Sequence, residues 1–448
     1  MQLLYMEVKM MVPRTSRRSV VAIGAGGIAL SLALAGCSAG DSDSGGTTTL
    51  SYLVDNQEAT VATAEALATA FTEENPDIKI DVETRPQGAD GDNLIKTRLS
   101  TGEMSDVFAY NSGSLLQALT PKSTLVDLSD EAWIDKLDKN FIDSVGGDDG
   151  VFGVPMGQAM AGAVLYNKDI YAELGLEIPT TWDEFIANSE AIKDAGTAAP
   201  IVQTYGETWT SQLFVLGDFN NVLAEDPDWA EKYTNNEAKY VDEPASAGFE
   251  HLQEAFEAGL FNEDFASAGY ADGVTMVATG AGAHYPMLTF AASQLMTTNP
   301  EAADTVGTFP LPGPDAETNG LTVWMPGAVY IPQSTEGEKL EAAKKFVEWL
   351  VTPESCDIQA ETTAPQGPFV VEGCELPDDV PAIVSDLQPY FDEEKTNLAL
   401  EFLSPIKGPA LEQITVAVGS GITSAADGAA QYDEDVKKQA QQLGIEGW

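Results

Sequence analysis

From about residue 49 onward, the apolar positions of this chain alternate between two periods. In TLSYLV, Leu50, Tyr52 and Val54 fall on every second position, which predicts a strand, and Asp55-Asn56 follows as turn and helix cap. In ATVATAEALATAFTEE the period changes: Val61, Ala64, Leu67, Ala68 and Phe71 share one helical face. Asn75-Pro76 stops that helix, IKIDVE alternates again as a second strand, NLIKTRLSTG reads as a helix with a glycine stop, and SDVFAY as a buried strand. Strands alternating with helices predict an α/β fold with a mostly parallel sheet covered on both faces. Further on, GGDDGVFG (residues 146–153) reads as a tight hairpin turn, without the ligand spacing of an EF-hand calcium loop. Thr181-Trp182-Asp183-Glu184 forms a capping box, and Thr352-Pro353 a cap with an N1 proline after the amphipathic EKLEAAKKFVEWLV. Tyr432 to Leu443 reads as a polar helix.

The N-terminal pattern is different. Arg14, Arg17 and Arg18 precede an apolar, glycine-rich run that ends at Leu34-Ala35-Gly36-Cys37. This is the layout of a secretory signal peptide, and the run is too short and glycine-rich for a spanning helix, which needs ~20 apolar residues. Leu-Ala-Gly-Cys resembles the bacterial lipobox, in which the cysteine is diacylated (palmitate-type chains) and begins the mature protein. Met11 is an alternative start, and Arg17-Arg18 leaves twin-arginine export open beside the general route. After Cys37, SAGDSDSGGTTT has no apolar face to bury and reads as a flexible tether. Two acyl chains hold a protein durably on a membrane. The expected location is the extracytoplasmic face of the cell membrane, with the lipid as the only membrane contact.

Composition narrows the partners. The chain has 448 residues, 44% of them apolar, with seven Trp, so it is globular and long enough for two or three cores. A formal net charge of −49 repels nucleic acid and argues against phosphate-rich ligands. The acids are spread along the whole chain, as on a highly solvated exported surface. Beyond Cys37, only Cys356 and Cys374 remain. In an oxidising compartment they are expected to pair, closing a loop that stabilises by ~3 kcal/mol in the chain-entropy model, with two free buried thiols as the alternative. Two His cannot build a His-rich metal site, and no cofactor is expected.

Several segments, in order, are similar to one known family. TLSYLVDNQ, SDVFAYNSG, GVFGVPMGQAMAGAVLYNKDIYAELGLEIPTTWDEF, GVTMVATGAGAHYPM, VGTFPLPGPD, TVWMPGAVYIPQSTEGEKLEAAKKFVEWLVTPES and TAPQGPFV resemble the extracellular solute-binding proteins of family 1. These are the carbohydrate receptors of ABC importers. The spacing of VP, YNKDIY and PTTWDEF is the most specific part of the match. The resemblance implies a two-lobed, type II periplasmic-binding-protein-like fold, with a ligand cleft between lobes joined by a multi-crossing hinge. On that basis, residues 1–36 are the signal peptide and 37–48 the tether. Residues 49–156 and 305–367 would form lobe 1, and 157–304 and 368–448 lobe 2. The crossings fall near Pro155 to Gln158, Asp304 to Thr308 and Gln366 to Val370. The expected protein is a monomer that closes on a sugar and hands it, unaltered, to the permease subunits of an ABC transporter.

Sugar recognition requires flat rings against C–H faces, and carboxylates or amides around the hydroxyl rim. Suitable residues stand at segment ends that should face the cleft: Gln57, Glu58, Tyr110, Asn111, Gln158, Glu207, Trp209, Tyr285, Trp324 and Gln366. The resemblance gives Tyr110, Trp209 and Tyr285 stacking positions; Trp324 matches less cleanly. Trp133, Trp182, Trp229 and Trp349 lie on amphipathic or capped helices and read as packing, while His284 reads as a loop hydrogen-bonder or a contact. There is no G-x-S-x-G elbow between a strand and a helix, no H-E-x-x-H helix and no phosphate-cradling glycine loop with Lys, and with 71 acids a glycosidase carboxylate pair carries no information, so an enzyme is not expected. A second binding class stays open: a polyamine, peptide or other small cation, which the same rings and carboxylates would suit.

Overall fold

Thr48–Asp55 (β1) runs parallel to Ile78–Arg85 (β2) over its full length and to Val107–Tyr110 (β3) on its other edge. This is the β-α-β opening read from the alternating pattern, seen in a computed structural model that describes residues 47–146 and 149–448. The arginines, the apolar run and Cys37 lie outside the described residues, as do Gly147 and Asp148. Glu58–Glu74 (α1) joins β1 to β2 and buries Thr63, Ala64, Leu67, Ala68 and Phe71. Phe71 meets Phe346 and Trp349 edge-on, at 5.1 and 5.7 Å between ring centroids. Such pairs contribute about 1 kcal/mol each beyond area burial.

The remaining strands are Gly153–Met156 (β4), Met160–Asn167 (β5), Ala199–Ile201 (β6), Gly282–Leu288 (β7), Val306–Pro310 (β8), Leu321–Trp324 (β9), Gly327–Tyr330 (β10) and Thr396–Leu398 (β11). They complete two sheets. The first has the order β2-β1-β3-β10-β4; the second has β11-β9-β5-β7-β6, with β8 also pairing β5. Both are mixed: β10 is antiparallel to β3 and β4, and β5 is antiparallel to β7, β8 and β9.

The chain passes from the first sheet to the second between Met156 and Met160. Its return differs from the expectation. Residues 306–324 stay on the second sheet, because β8 and β9 lie one after the other along the same edge of β5. The switch falls at Met325-Pro326, where proline removes a ladder donor. The last passage is also later than Gln366–Val370. Val371 bridges Leu137 in the first core, and only at Ala382–Ser385 does the chain form a helix beside β8. An extended apolar pair, Val370-Val371, is better buried beside Leu137 than spent on a link.

Other local expectations divide similarly. The Thr181/Glu184 capping box is present, and Thr352 Oγ1 accepts from the Ser355 N–H. The GGDDGVFG segment includes Gly147 and Asp148, which lie outside the described residues; the element before it is the helix Lys139–Ser144, and β4 after it pairs with β10. The C-terminal helix is Ala425–Leu443, starting seven residues early because Ser424 caps it by accepting from the Asp427 N–H. Its Ala425, Gly428, Ala429, Tyr432 and Val436 are buried, so the helix is amphipathic rather than polar. Trp133, Trp182, Trp229 and Trp349 are all buried. Cys356 and Cys374 are joined in a disulfide. No helix among the described residues is long and apolar enough to cross a membrane, and no cluster of three or more acid, His or Cys side chains there could hold a metal.

Candidate functional site

A cavity of about 300 Å³ opens at the carboxyl ends of β1, β2 and β3, where Asp55, Arg85 and Tyr110 stand. Parallel strands end here and α1 begins here, which is where open α/β sheets bind ligands. Strand register fixes the rest of the rim. Ala328 is opposite both Tyr110 and Pro155, and Gly327 opposite Met156, so β10 delivers its first residues to the same edge. From α1, Gln57, Thr60 and Thr63 line the cavity; from the first crossing, Gly157 and Gln158; from the helix Pro353–Thr362 and the chain after it, Gln359, Thr363 and Gln366.

These polar groups are held in place. Asp55 Oδ1 accepts from the Gln57 N–H at 2.9 Å. Gln359 Oε1 accepts from the Gly157 N–H at 2.7 Å, and the Thr63 and Thr363 hydroxyls are 3.1 Å apart. Tyr330 donates its hydroxyl to the Asn111 carbonyl at 3.0 Å, and Ser112 donates to the Pro326 carbonyl at 2.8 Å, which ties the end of β3 to the start of β10. Gly157 has φ +104°, a backbone state that favours glycine.

Arg85 is the unusual member. It is 7% exposed, donates Nη1 to its neighbour's carbonyl at Pro86, and has no carboxylate within 4.0 Å among the described residues. Its guanidinium carbon lies 5.5 Å from the centroid of the Tyr110 ring. Among the described residues, Arg85 Nε and the Tyr110 hydroxyl have no hydrogen-bond partner. Burial, then the nearby Asp92 carboxylate, push the Tyr110 hydroxyl far above its ordinary pKa, so it is a neutral donor at every physiological pH. Asp55 and Arg85 are the charged residues on the lining. In a chain of net charge −49, the cavity itself is formally neutral.

Of the residues expected at the site, Gln57, Tyr110, Asn111, Gln158 and Gln366 surround this one cavity. Glu58, the first residue of α1, is exposed and not on the lining. Glu207 and Trp209 lie on the second half of the molecule. Glu207 Oε2 accepts from the Tyr270 N–H, and Trp209 packs with Tyr270 and Phe290 at 5.5 and 5.9 Å between centroids. All three rings are only half-buried. None of the three is on the cavity lining; Thr289, the residue before Phe290, donates its hydroxyl to the Gln366 carbonyl at 2.7 Å.

Two expected contacts are corrected. Tyr285 is fully buried on β7, its hydroxyl 2.7 Å from Thr204 Oγ1 and its ring so close under Gly273 that a Cβ there would sit 2.7 Å from it. Trp324 is 7% exposed and presses on Gly162 of β5. Neither is on the lining of this cavity; Tyr285 is sealed in the core, and Trp324 faces a separate, much smaller cavity with Leu216, Phe219 and Tyr240. His284 is likewise buried, with Nε2 2.7 Å from the Tyr171 hydroxyl; burial lowers its pKa to about 3 and holds it neutral.

Sequence reasoning missed Asp55, Thr60, Thr63, Arg85, Gln359 and Thr363. Arg85 had a signal: it ends a strand of the parallel unit just as Tyr110 does. Gln359 and Thr363 had none, since a helix some three hundred residues away in sequence brings them against α1. Asp55 is the only carboxylate on the lining among the described residues, so the paired acids of a glycosidase are not at this cavity.

Residues 55–355 match the family model described as bacterial extracellular solute-binding protein. The multiple sugar-binding protein of Streptococcus mutans is 26% identical over 300 residues, covering 65% of this chain and 68% of its own. The melibiose/raffinose/stachyose-binding protein MelE of Bacillus subtilis is 25% identical over 377 residues, covering 81% and 84%. Among solved structures, a putative binding protein (msme) of Bacillus subtilis in an open conformation superposes with a TM-score of 0.75 at 19% identity, over 90% of this chain and 100% of the other. With two mixed sheets, a cavity at the strand ends of the first and a family match over most of its length, this chain belongs to the bacterial extracellular solute-binding proteins, which are receptors and not enzymes.

Proposed function

We propose that this protein captures an uncharged oligosaccharide and delivers it to the permease of an ABC importer. The observation that carries the reading is the formally neutral lining, rich in amides and hydroxyls. A sugar ring needs hydroxyl partners on its rim and flat rings on its faces, and here Asn111, Gln158, Gln359 and Gln366 supply the former and Trp209, Tyr270 and Phe290 the latter. Each hydroxyl bonded to a charged group contributes ~1.5–3 kcal/mol, which gives Asp55 and Arg85 their place in the site. The relatives named for multiple sugars and for melibiose, raffinose and stachyose support the substrate class. A polyamine would meet Arg85 head-on, so the cationic alternative is disfavoured despite the acidic surface.

The two sheets are proposed as two lobes that swing about the three crossings. Ligand touching both would bind the closed form preferentially and shift its population, and the permease would recognise that form. Transport energy would come from a separate ATPase. Cys37 would carry the lipid and the tether that begins with it the leash, holding a monomeric receptor on the outer face of the cell membrane.

Thermal shift tests the ligand class directly. Raffinose at a hundred times its Kd should add roughly 2.7 kcal/mol of stability, and raised salt should leave the shift unchanged. A shift produced by spermidine and abolished by salt would overturn the reading in favour of a cation. Trp209→Ala should weaken raffinose binding by ~1–3 kcal/mol with the melting temperature nearly unmoved, as checked by calorimetric titration. A collapsed melting temperature would mark Trp209 as packing.

A further inference from the structure

We infer that the Cys356–Cys374 disulfide positions the solute site, by fixing the roll of the helix that carries Gln359 and Thr363. The inference rests on the cavity being the place where solute binds. Cys356, Gln359 and Thr363 are spaced three and four residues apart along the helix Pro353–Thr362 and its cap, so they share one face. That face is turned to the cavity. Cys356 is 1% exposed and bonded to Cys374, Gln359 and Thr363 line the cavity, and the Thr363 hydroxyl is 3.1 Å from that of Thr63 on α1.

The same face also holds the first crossing. Gln359 Oε1 accepts from the Gly157 N–H, while its Nε2 donates to Ser355 Oγ at 3.2 Å. Gly157 is the first residue after β4 and itself lines the cavity. The segment closed by the disulfide contains Gln366 as well. It is pinned on the way by Thr289 Oγ1 to the Gln366 carbonyl, Ser293 Oγ to the Ala364 carbonyl at 3.3 Å, and the Ala159 N–H to the Pro368 carbonyl at 2.9 Å. At its far end, Val370 and Val371 are fastened to Leu137-Asp138 by backbone bonds, so Cys374 is a fixed post.

A helix fastened to a fixed post by a covalent bond cannot roll. One held by side-chain packing alone can, and a roll of about 1 Å at its surface is enough to break a hydrogen bond of this length. Losing the Gln359 contact leaves the Gly157 N–H without its partner and moves two polar groups of the cavity, Gln359 and Thr363, together. The disulfide therefore acts on recognition through Gln359, and not only as a staple on the unfolded chain.

The test is the double variant Cys356→Ala/Cys374→Ala in the full chain. Two quantities are read: raffinose affinity by titration, and hydrogen exchange of the Gly157 amide without ligand. Affinity should fall about tenfold and the amide should exchange about tenfold faster, the size expected when a buried group loses its partner. If both are unchanged while the melting temperature falls, the bond is a staple alone and the inference fails. If the wild type does not bind raffinose, the exchange rate still decides the inference, and the proposed ligand is what fails. Cys374→Ser, at a half-buried position, carries the same two measurements should the double variant not fold.

Discussion

Tyr285→Ala is expected to destabilise the protein by about 3–5 kcal/mol, the cost of emptying a fully buried aromatic site, while any surviving folded protein binds solute normally. The ring is 0% exposed at the centre of a cluster with Val202, Leu213, Val274, Met287 and Leu295. Its hydroxyl is paired with Thr204, so truncation also removes that buried hydrogen bond and leaves the Thr204 hydroxyl with Thr210 alone. Chemical denaturation reads the loss. A variant of wild-type stability with weakened binding would mean instead that the ring reaches the ligand.

Asp218→Asn should do the opposite, by an amount that grows as pH rises from about 4 to about 7. Asp218 is 2% exposed; burial, with Glu225 and Glu243 nearby, pushes its carboxyl up to about 7 from an ordinary 3.8, against the pull of the Asn221 amide that donates to it at 2.8 Å. Between those two values the unfolded chain is ionised while the native carboxyl keeps its proton, so the native state binds more protons and stability falls as pH rises. Above pH 7 both forms are ionised and the full penalty, on the order of 4 kcal/mol, is present. Asparagine removes the charge and can still accept from Asn221. Its advantage over the wild type should be roughly 2–4 kcal/mol at about pH 8 and fade toward pH 4, read from denaturation midpoints across that range. The two histidines oppose this trend. His251 and His284 are held near 3 by burial, so stability should fall as pH drops below their unfolded value of about 6.5. A constant advantage of Asp218→Asn at every pH would show that Asp218 is ionised throughout.

What the sequence allowed to be read, and what it did not, follows from the range of the interactions. β1, α1, β2 and β3 were legible because period and stop signals lie within a few residues of each other. The strand ends Tyr110-Asn111 and the turn residue Gln57 were placed on the cavity edge for the same reason. The second crossing was misplaced because the apolar strand VGTFP gives no sign of which sheet it joins; that is decided by free hydrogen-bonding edges on β5. Tyr285 and Trp324 were misread because a ring at a strand end can face either side, and the covering element settles which. For Tyr285 that element is the helix Tyr270–Thr279, whose Gly273 leaves room for the ring. Gln359 and Thr363 depend on packing between distant helices and had no local signature.

The neutral cavity sits inside a strongly negative body, and that contrast has a kinetic consequence. Solutes that carry phosphate or carboxylate are turned away while still several ångströms from the surface, before any pocket contact can discriminate, whereas uncharged ones approach freely. Such a filter acts on arrival and not on departure. It fades once dissolved ions shorten its reach, from ~10 Å at 0.1 M to ~3 Å at 1 M. Sugar phosphates competing for this receptor should therefore gain ground in brine and lose it in fresh water.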